Sequence, residues 1–277
     1  MEIYQGIILG ILQGLTEFLP VSSSGHLALG QSFFGITEPA LFFDVSLHMG
    51  TLLAVVVVFF QDIRRMIMAL LALVMQIFSG KEALETLKKD EDIRFIFLII
   101  LASIPTAFLG LGFKPYVHTL FSSVSFVGCM LLITGTFLWM TRNVSPKADG
   151  VMGFSVKKAL WVGLCQGLAV LPGISRSGST ISVGLFLGID RETAARFSFL
   201  LSIPAIVGAE ILSIKDFMEQ GSSIDMGATL WGTLISFVVG YAALILLLRI
   251  LRKGRLHLFA PYCWALGTAA IIVGHLI

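Results

Sequence analysis

Charged side chains are scarce in this sequence, at 13% of 277 residues, against about 25% in a soluble domain. With 56% of the residues hydrophobic and a mean hydropathy of +0.93, polar surface is too limited to cover an apolar interior. Lipid therefore takes the place of water around much of the chain. The net charge of +2 is too small to argue for a nucleic-acid partner. Only three cysteines occur, Cys129, Cys165 and Cys263, without a CxxC pair or metal-ligand spacing, and they read as small core residues. The opening Met1-Glu2-Ile3-Tyr4 lacks the basic segment of a cleavable signal peptide.

Long apolar runs are present instead. A helix needs about 20 apolar residues to cross a bilayer. Phe95–Phe113, Leu120–Met140 and Met226–Leu248 meet this without a charge, and Leu258–Gly274 is slightly shorter. Pro39–Gln61 qualifies while carrying Asp44 and His48, and Phe197–Ile214 while carrying Glu210. Six spans are predicted. Met66–Phe78 is too short to cross and follows Arg64-Arg65, so it reads as an interfacial helix, and residues 80–92 read as a charged loop. Nothing remains for a soluble domain, so residues 1–277 form a single integral membrane domain.

Two further apolar stretches, residues 3–36 and 155–189, are interrupted by Leu19-Pro20-Val21-Ser22-Ser23-Ser24-Gly25 and Leu171-Pro172-Gly173-Ile174-Ser175-Arg176-Ser177-Gly178. Pro and Gly break helices, and the short halves suit re-entrant hairpins. The expected fold is all-α and polytopic, with six transmembrane helices plus two re-entrant helix-loop-helix hairpins. Basic residues give orientation. The segments 61–94, 142–158, 191–196 and 249–255 hold 6, 4, 2 and 4 of them, 16 of the 19 Lys and Arg in the chain. They mark the cytoplasmic side and put both termini outside.

Residues 10–36 align without gaps to 163–189. Identities include Gly10/Gly163, Gln13/Gln166, Gly14/Gly167, Ser22/Ser175, Ser24/Ser177 and Gly25/Gly178. Three spans between the copies invert the second relative to the first, giving repeat halves of approximately 1–141 and 155–277. Inverted repeats of broken helices usually meet near the midplane, where half-helix ends form a site.

Glu17 and His26 are ionisable groups inside the first broken stretch. Burying such groups costs about 2–3 kcal/mol or more, which ordinarily marks function; the bland alternative is a carboxylate that fixes helix packing. Gln13 shares a face with Glu17 at i, i+4. Arg176 lies in a Ser/Gly-rich turn before a helix, where guanidinium, hydroxyls and free N–H groups suit phosphate; alternatively it is the structural ion-pair partner of Glu17. Asp44 and His48 either line the same cavity or bond neighbouring helices. Glu210, near the outer end of its span, reads as hydrated, with a functional role as the alternative. The Trp and Tyr residues near span ends fit an aromatic belt.

The segments Gly14-Leu15-Thr16-Glu17-Phe18-Leu19-Pro20-Val21-Ser22-Ser23-Ser24-Gly25-His26 and Pro172-Gly173-Ile174-Ser175-Arg176-Ser177-Gly178-Ser179-Thr180 resemble the two signatures of the undecaprenyl-diphosphatase, or bacitracin-resistance, family. Chain length, span layout and Phe43-Asp44-Val45 agree with it. The resemblance implies hydrolysis of undecaprenyl diphosphate to the monophosphate and inorganic phosphate, recycling the lipid carrier of peptidoglycan synthesis. It implies a bacterial plasma-membrane enzyme whose active site opens to the outer face. Glu17, Ser23, His26 and Arg176 would be catalytic, and Ser22, Ser24, Gly25, Ser175, Ser177, Gly178 and Thr180 would bind substrate. A divalent cation is implied, Mg2+ or alternatively Ca2+, on Glu17 and Gln13. The family often has a glutamate at the position of Gln13, which puts metal affinity in question more than function. Partners are the polyprenyl diphosphate substrate and membrane lipids, with a homodimer compatible and no nucleic acid. The nucleophile stays open among Ser23, His26 and water. A secondary transporter or lipid flippase on the same inverted-repeat fold is the alternative function, since fold alone does not choose.

Overall fold

The computed structural model describes residues 1–36, 41–79, 90–145, 150–220 and 226–276. The chain is a bundle of helices: α1 (Ile3–Phe18), α2 (Ser23–Phe33), α3 (Leu41–Val58), α4 (Phe60–Phe78), α5 (Glu91–Phe113), α6 (Val117–Ser122), α7 (Val124–Met140), α8 (Val156–Leu168), α9 (Arg176–Phe186), α10 (Arg191–Gln220), α11 (Met226–Arg252) and α12 (Ala260–Leu276). Among the described residues, α5, α7, α10, α11 and α12 are each long and apolar enough to cross a membrane. The pair α3–α4, bent by 75°, supplies a sixth. The protein is a polytopic membrane protein.

Both interrupted stretches fold as helix-loop-helix units, α1–α2 and α8–α9. The first turn contains Ser22 at φ 69°, an uncommon conformation for a residue with a side chain. The second contains Gly173 at φ 98°, where a Cβ would also collide with the carbonyl of Val127, so only glycine fits. Ser175 caps α9, accepting from Gly178 N–H at 3.1 Å. Asp90 caps α5, accepting from the N–H groups of Asp92 and Ile93 at 2.9 and 3.0 Å, and Glu91 and Asp92 complement the helix dipole there.

Each hairpin packs on a distant helix. Helix α1 lies along α11, with Gly6, Gly10 and Gly14 against Ala228, Gly232 and the Ser236–Gly240 turn. Helix α8 lies along α5 in the same way, with Gly163 on the backbone of Ala102. Small residues spaced by four allow backbones to approach closely, as in membrane helix pairs generally. Gly10 and Gly163, paired in the sequence repeat, thus make equivalent contacts. Helices α7 and α12 pack together along their length.

Several boundaries differ from expectation. The span at Leu120–Met140 is broken at Ser123, whose hydroxyl caps α7 by accepting from Phe126 N–H at 3.3 Å. The interfacial helix begins at Phe60 rather than Met66, because the sharp bend falls at Phe59. The start of the Pro39 span and most of the 80–92 loop lie outside the described residues; Glu91 and Asp92 belong to α5. Cys165 and Cys263 are buried as expected, but Cys129 is exposed on α7. Hydropathy does not distinguish a lipid-facing position from a core position.

Candidate active site

The two hairpin turns meet. Pro20 of the first touches the Gly178 position of the second, so closely that a Cβ on Gly178 would stand 2.9 Å from it. Ser177 Oγ donates to Phe18 O at 2.9 Å, and Gly173 N–H donates to Ser22 Oγ at 3.2 Å. Thr134 on α7 ties the second turn from both sides, donating to Gly173 O at 2.9 Å and accepting from Ser175 N–H at 3.1 Å. These bonds satisfy backbone groups that the broken helices leave free.

At this junction Glu17, at the end of α1, accepts from Arg176 Nη2 at 2.8 Å, and its side chain is only 8% exposed. Glu17 Oε2 also accepts from Ser23 Oγ at 2.7 Å and from Gln13 Nε2 at 3.2 Å. His48 Nε2 approaches the same oxygen at 3.9 Å. Four segments therefore converge on one carboxylate. The Arg176 guanidinium lies 5.8 Å above the Phe199 ring, and its Nη1 is buried without a hydrogen-bond partner among the described residues. Gln13 Oε1 is likewise buried and unpartnered. Buried polar atoms are nearly always paired, so these two are the candidates at this junction for contact with a ligand's polar atoms.

The remaining candidates are placed as follows. His26 stands one turn after Ser23 on α2. Its Nδ1 faces Ser22 O at 2.8 Å and its Nε2 faces Tyr262 Oη at 2.6 Å, so neither nitrogen bonds Ser23. Ser24 Oγ lies 3.3 Å from Ser22 Oγ, and Gly25 is buried against Val127. Thr180 Oγ1 pairs with Ser198 Oγ at 2.6 Å and donates to Arg176 O at 2.7 Å. Ser175, Ser177 and Thr180 are buried, with their hydroxyls engaged inside the protein.

Asp44 accepts from Gln31 Nε2 of α2 while His48 reaches Glu17, so both alternatives for this pair are realised, one by each residue. Glu210, expected at a solvent-facing position, is instead buried: it is 7% exposed, with Oε2 unpartnered among the described residues. Tyr262 is more than a belt residue, since it contacts His26. No periodicity in the sequence pointed to it; only the packing of α12 beside the first hairpin brings it there.

A buried guanidinium, a carboxylate and a hydroxyl are brought together from two broken helices of a polytopic membrane protein. Residues 6–269 match the family described as bacitracin resistance protein BacA, and the chain belongs to that family. It is 58% identical over 274 residues to the undecaprenyl-diphosphatase of Desulforapulum autotrophicum and 57% identical to that of Desulfosudis oleivorans, with 99% of each chain covered in both cases. Identity to the undecaprenyl-diphosphatase of Carboxydothermus hydrogenoformans is 42% over 276 residues, covering 99% of this chain and 98% of the relative.

Proposed function

We propose that this protein hydrolyses undecaprenyl diphosphate to undecaprenyl phosphate and inorganic phosphate at the junction of its two hairpins. The observation that carries the reading is Glu17 held between Ser23 Oγ at 2.7 Å and Arg176 Nη2 at 2.8 Å, in a chain whose relatives bear the diphosphatase name. A nucleophile within hydrogen-bond reach of a base, which is itself oriented by a third group, is the arrangement of covalent catalysis.

Ser23 Oγ attacks the terminal phosphorus as its proton passes to the Glu17 carboxylate. The bridging P–O bond breaks and polyprenyl phosphate leaves. Phosphoryl transfer depends mainly on positioning and charge neutralisation, so the ion-paired carboxylate serves chiefly to hold and orient the serine hydroxyl. Arg176 serves both sides, with Nη2 on Glu17 and Nη1 free for a terminal phosphate oxygen. Water then attacks the phosphoserine, His26 receives the water proton, and Glu17 returns its proton to Ser23. The long isoprenoid tail remains among the spans, in contact with lipid.

The divalent cation implied by the family resemblance fits Glu17 and the unpartnered Gln13 Oε1. Among the described residues no three His, Cys, Asp or Glu gather as a metal site. The cation would therefore complete its shell with phosphate oxygens, as Mg2+ commonly does. When bound it would supply further neutralisation of phosphate charge.

The distribution of basic residues supports termini and site opening on the outer face of the plasma membrane, with inverted repeat halves at about 1–141 and 155–277. The test is release of inorganic phosphate from polyprenyl diphosphates by purified protein in detergent, with and without chelator. Release that is lost in Ser23→Ala and His26→Gln supports the reading. A protein that releases no phosphate and moves lipid only in sealed vesicles is a transporter, and a fully active His26→Gln removes His26 from the chemistry.

A further inference from the structure

His26 sits between two fixed partners. The backbone oxygen of Ser22, 2.8 Å from Nδ1, can only accept, so Nδ1 carries the proton and Nε2 presents a lone pair. That lone pair faces Tyr262 Oη at 2.6 Å, and the two rings lie nearly parallel, 13° apart with centroids at 5.8 Å. Tyr262 therefore donates its O–H to Nε2. An imidazole nitrogen has one lone pair, so while this bond stands no water and no serine can donate to His26 directly. A phenolic oxygen keeps acceptor capacity after donating its own hydrogen.

We infer that Tyr262 is the proton carrier between the hydrolytic water and His26, a role that rests on the reading of His26 given above. The water donates to Tyr262 Oη as the tyrosine proton crosses to His26 Nε2. The water oxygen bonds to phosphorus, the Ser23 Oγ–P bond breaks, and the serine oxygen recovers its proton from Glu17. Tyr262 ends neutral and His26 ends as imidazolium, which gives its proton back through Tyr262 Oη, the one partner of Nε2, to the phosphate product as it leaves. Once protonated, Nε2 becomes a donor and Tyr262 its acceptor, so the same hydroxyl serves both charge states without moving the ring.

The test uses full-length protein in detergent and polyprenyl diphosphate labelled in the terminal phosphate. Tyr262→Phe removes only the hydroxyl and keeps the ring against His26. Its kcat should fall by about 10²-fold, the size of a lost proton-transfer step, with KM falling in step so that kcat/KM stays within about twofold of wild type. Acid quenching should trap more labelled phosphoserine at Ser23 than in wild type, because the second half-reaction alone is slowed. A merely structural defect would slow both halves and trap no more.

His26→Gln should accumulate the same phosphoserine. If it does while Tyr262→Phe turns over like wild type or traps none, the relay is wrong and the role of His26 stands. If His26→Gln is fully active or traps none, the role of His26 fails and the relay falls with it. A Tyr262→Phe defect confined to KM also overturns the relay, since it assigns the hydroxyl to lipid binding.

Discussion

Replacing Arg176 with lysine separates the two tasks of this side chain. Nη2 holds Glu17 at 2.8 Å while Nη1 is buried and free. An ammonium keeps the charge but lacks a rigid fork, so it does not present two nitrogens in fixed directions. Staying on the carboxylate, it forfeits one charge-assisted hydrogen bond to phosphate, worth about 1.5–3 kcal/mol. At about 1.36 kcal/mol per decade this is roughly a 10- to 150-fold loss of kcat/KM. Stability should change little, because the buried carboxylate keeps a cation. Arg176→Ala differs: Glu17, 8% exposed, loses its counter-charge, and breaking a buried pair from one side costs about 3–5 kcal/mol. Adding Glu17→Gln to Arg176→Ala should restore most of that stability and none of the activity. Phosphate release and thermal unfolding, measured on the same detergent preparations, check both halves. Wild-type kcat/KM in Arg176→Lys would refute a phosphate role for Nη1, and an Arg176→Ala protein as stable as wild type would refute the buried pair.

Ser23→Ala should remove the labelled phosphoenzyme and turnover while leaving Glu17 paired to Arg176; turnover close to wild type would hand the attack to water. Gly163→Ala should destabilise by about 1–3 kcal/mol through overpacking against Ala102, whereas Gly112→Ala, with open space around it, should be neutral or stabilising by about 0.5–1 kcal/mol. Equal unfolding midpoints for these two variants would contradict the close α5–α8 approach. Asp90→Ala should cost about 1 kcal/mol by uncapping α5, visible as a lower midpoint with kcat unchanged.

Much of this arrangement was legible in the sequence because its strongest signals are local. Pro and Gly inside apolar stretches marked both hairpins, and the repeat between residues 10–36 and 163–189 anticipated their equivalent packing. The meeting of Glu17 with Arg176 followed from placing one charged group in each broken helix. What stayed hidden depends on long-range contact. Nothing local says that the hydroxyls of Ser177 and Thr180 turn inward to Phe18 O and Ser198, nor that Glu210 is shielded by its neighbours. Tyr262 resembled any other interfacial aromatic until α12 was seen beside α2. The bend at Phe59 escaped because no proline or glycine marks it.

The seating of α1 along α11 also sets an order of assembly. Gly6, Gly10 and Gly14 await Ala228, Gly232 and Gly240, residues that the ribosome produces more than two hundred positions later. The amino-terminal hairpin is therefore made early and docked late. Its seat on α11 stays empty until nearly the whole polypeptide has been made, so a translation product truncated before α11 carries both sequence signatures yet lacks the helix on which α1 packs.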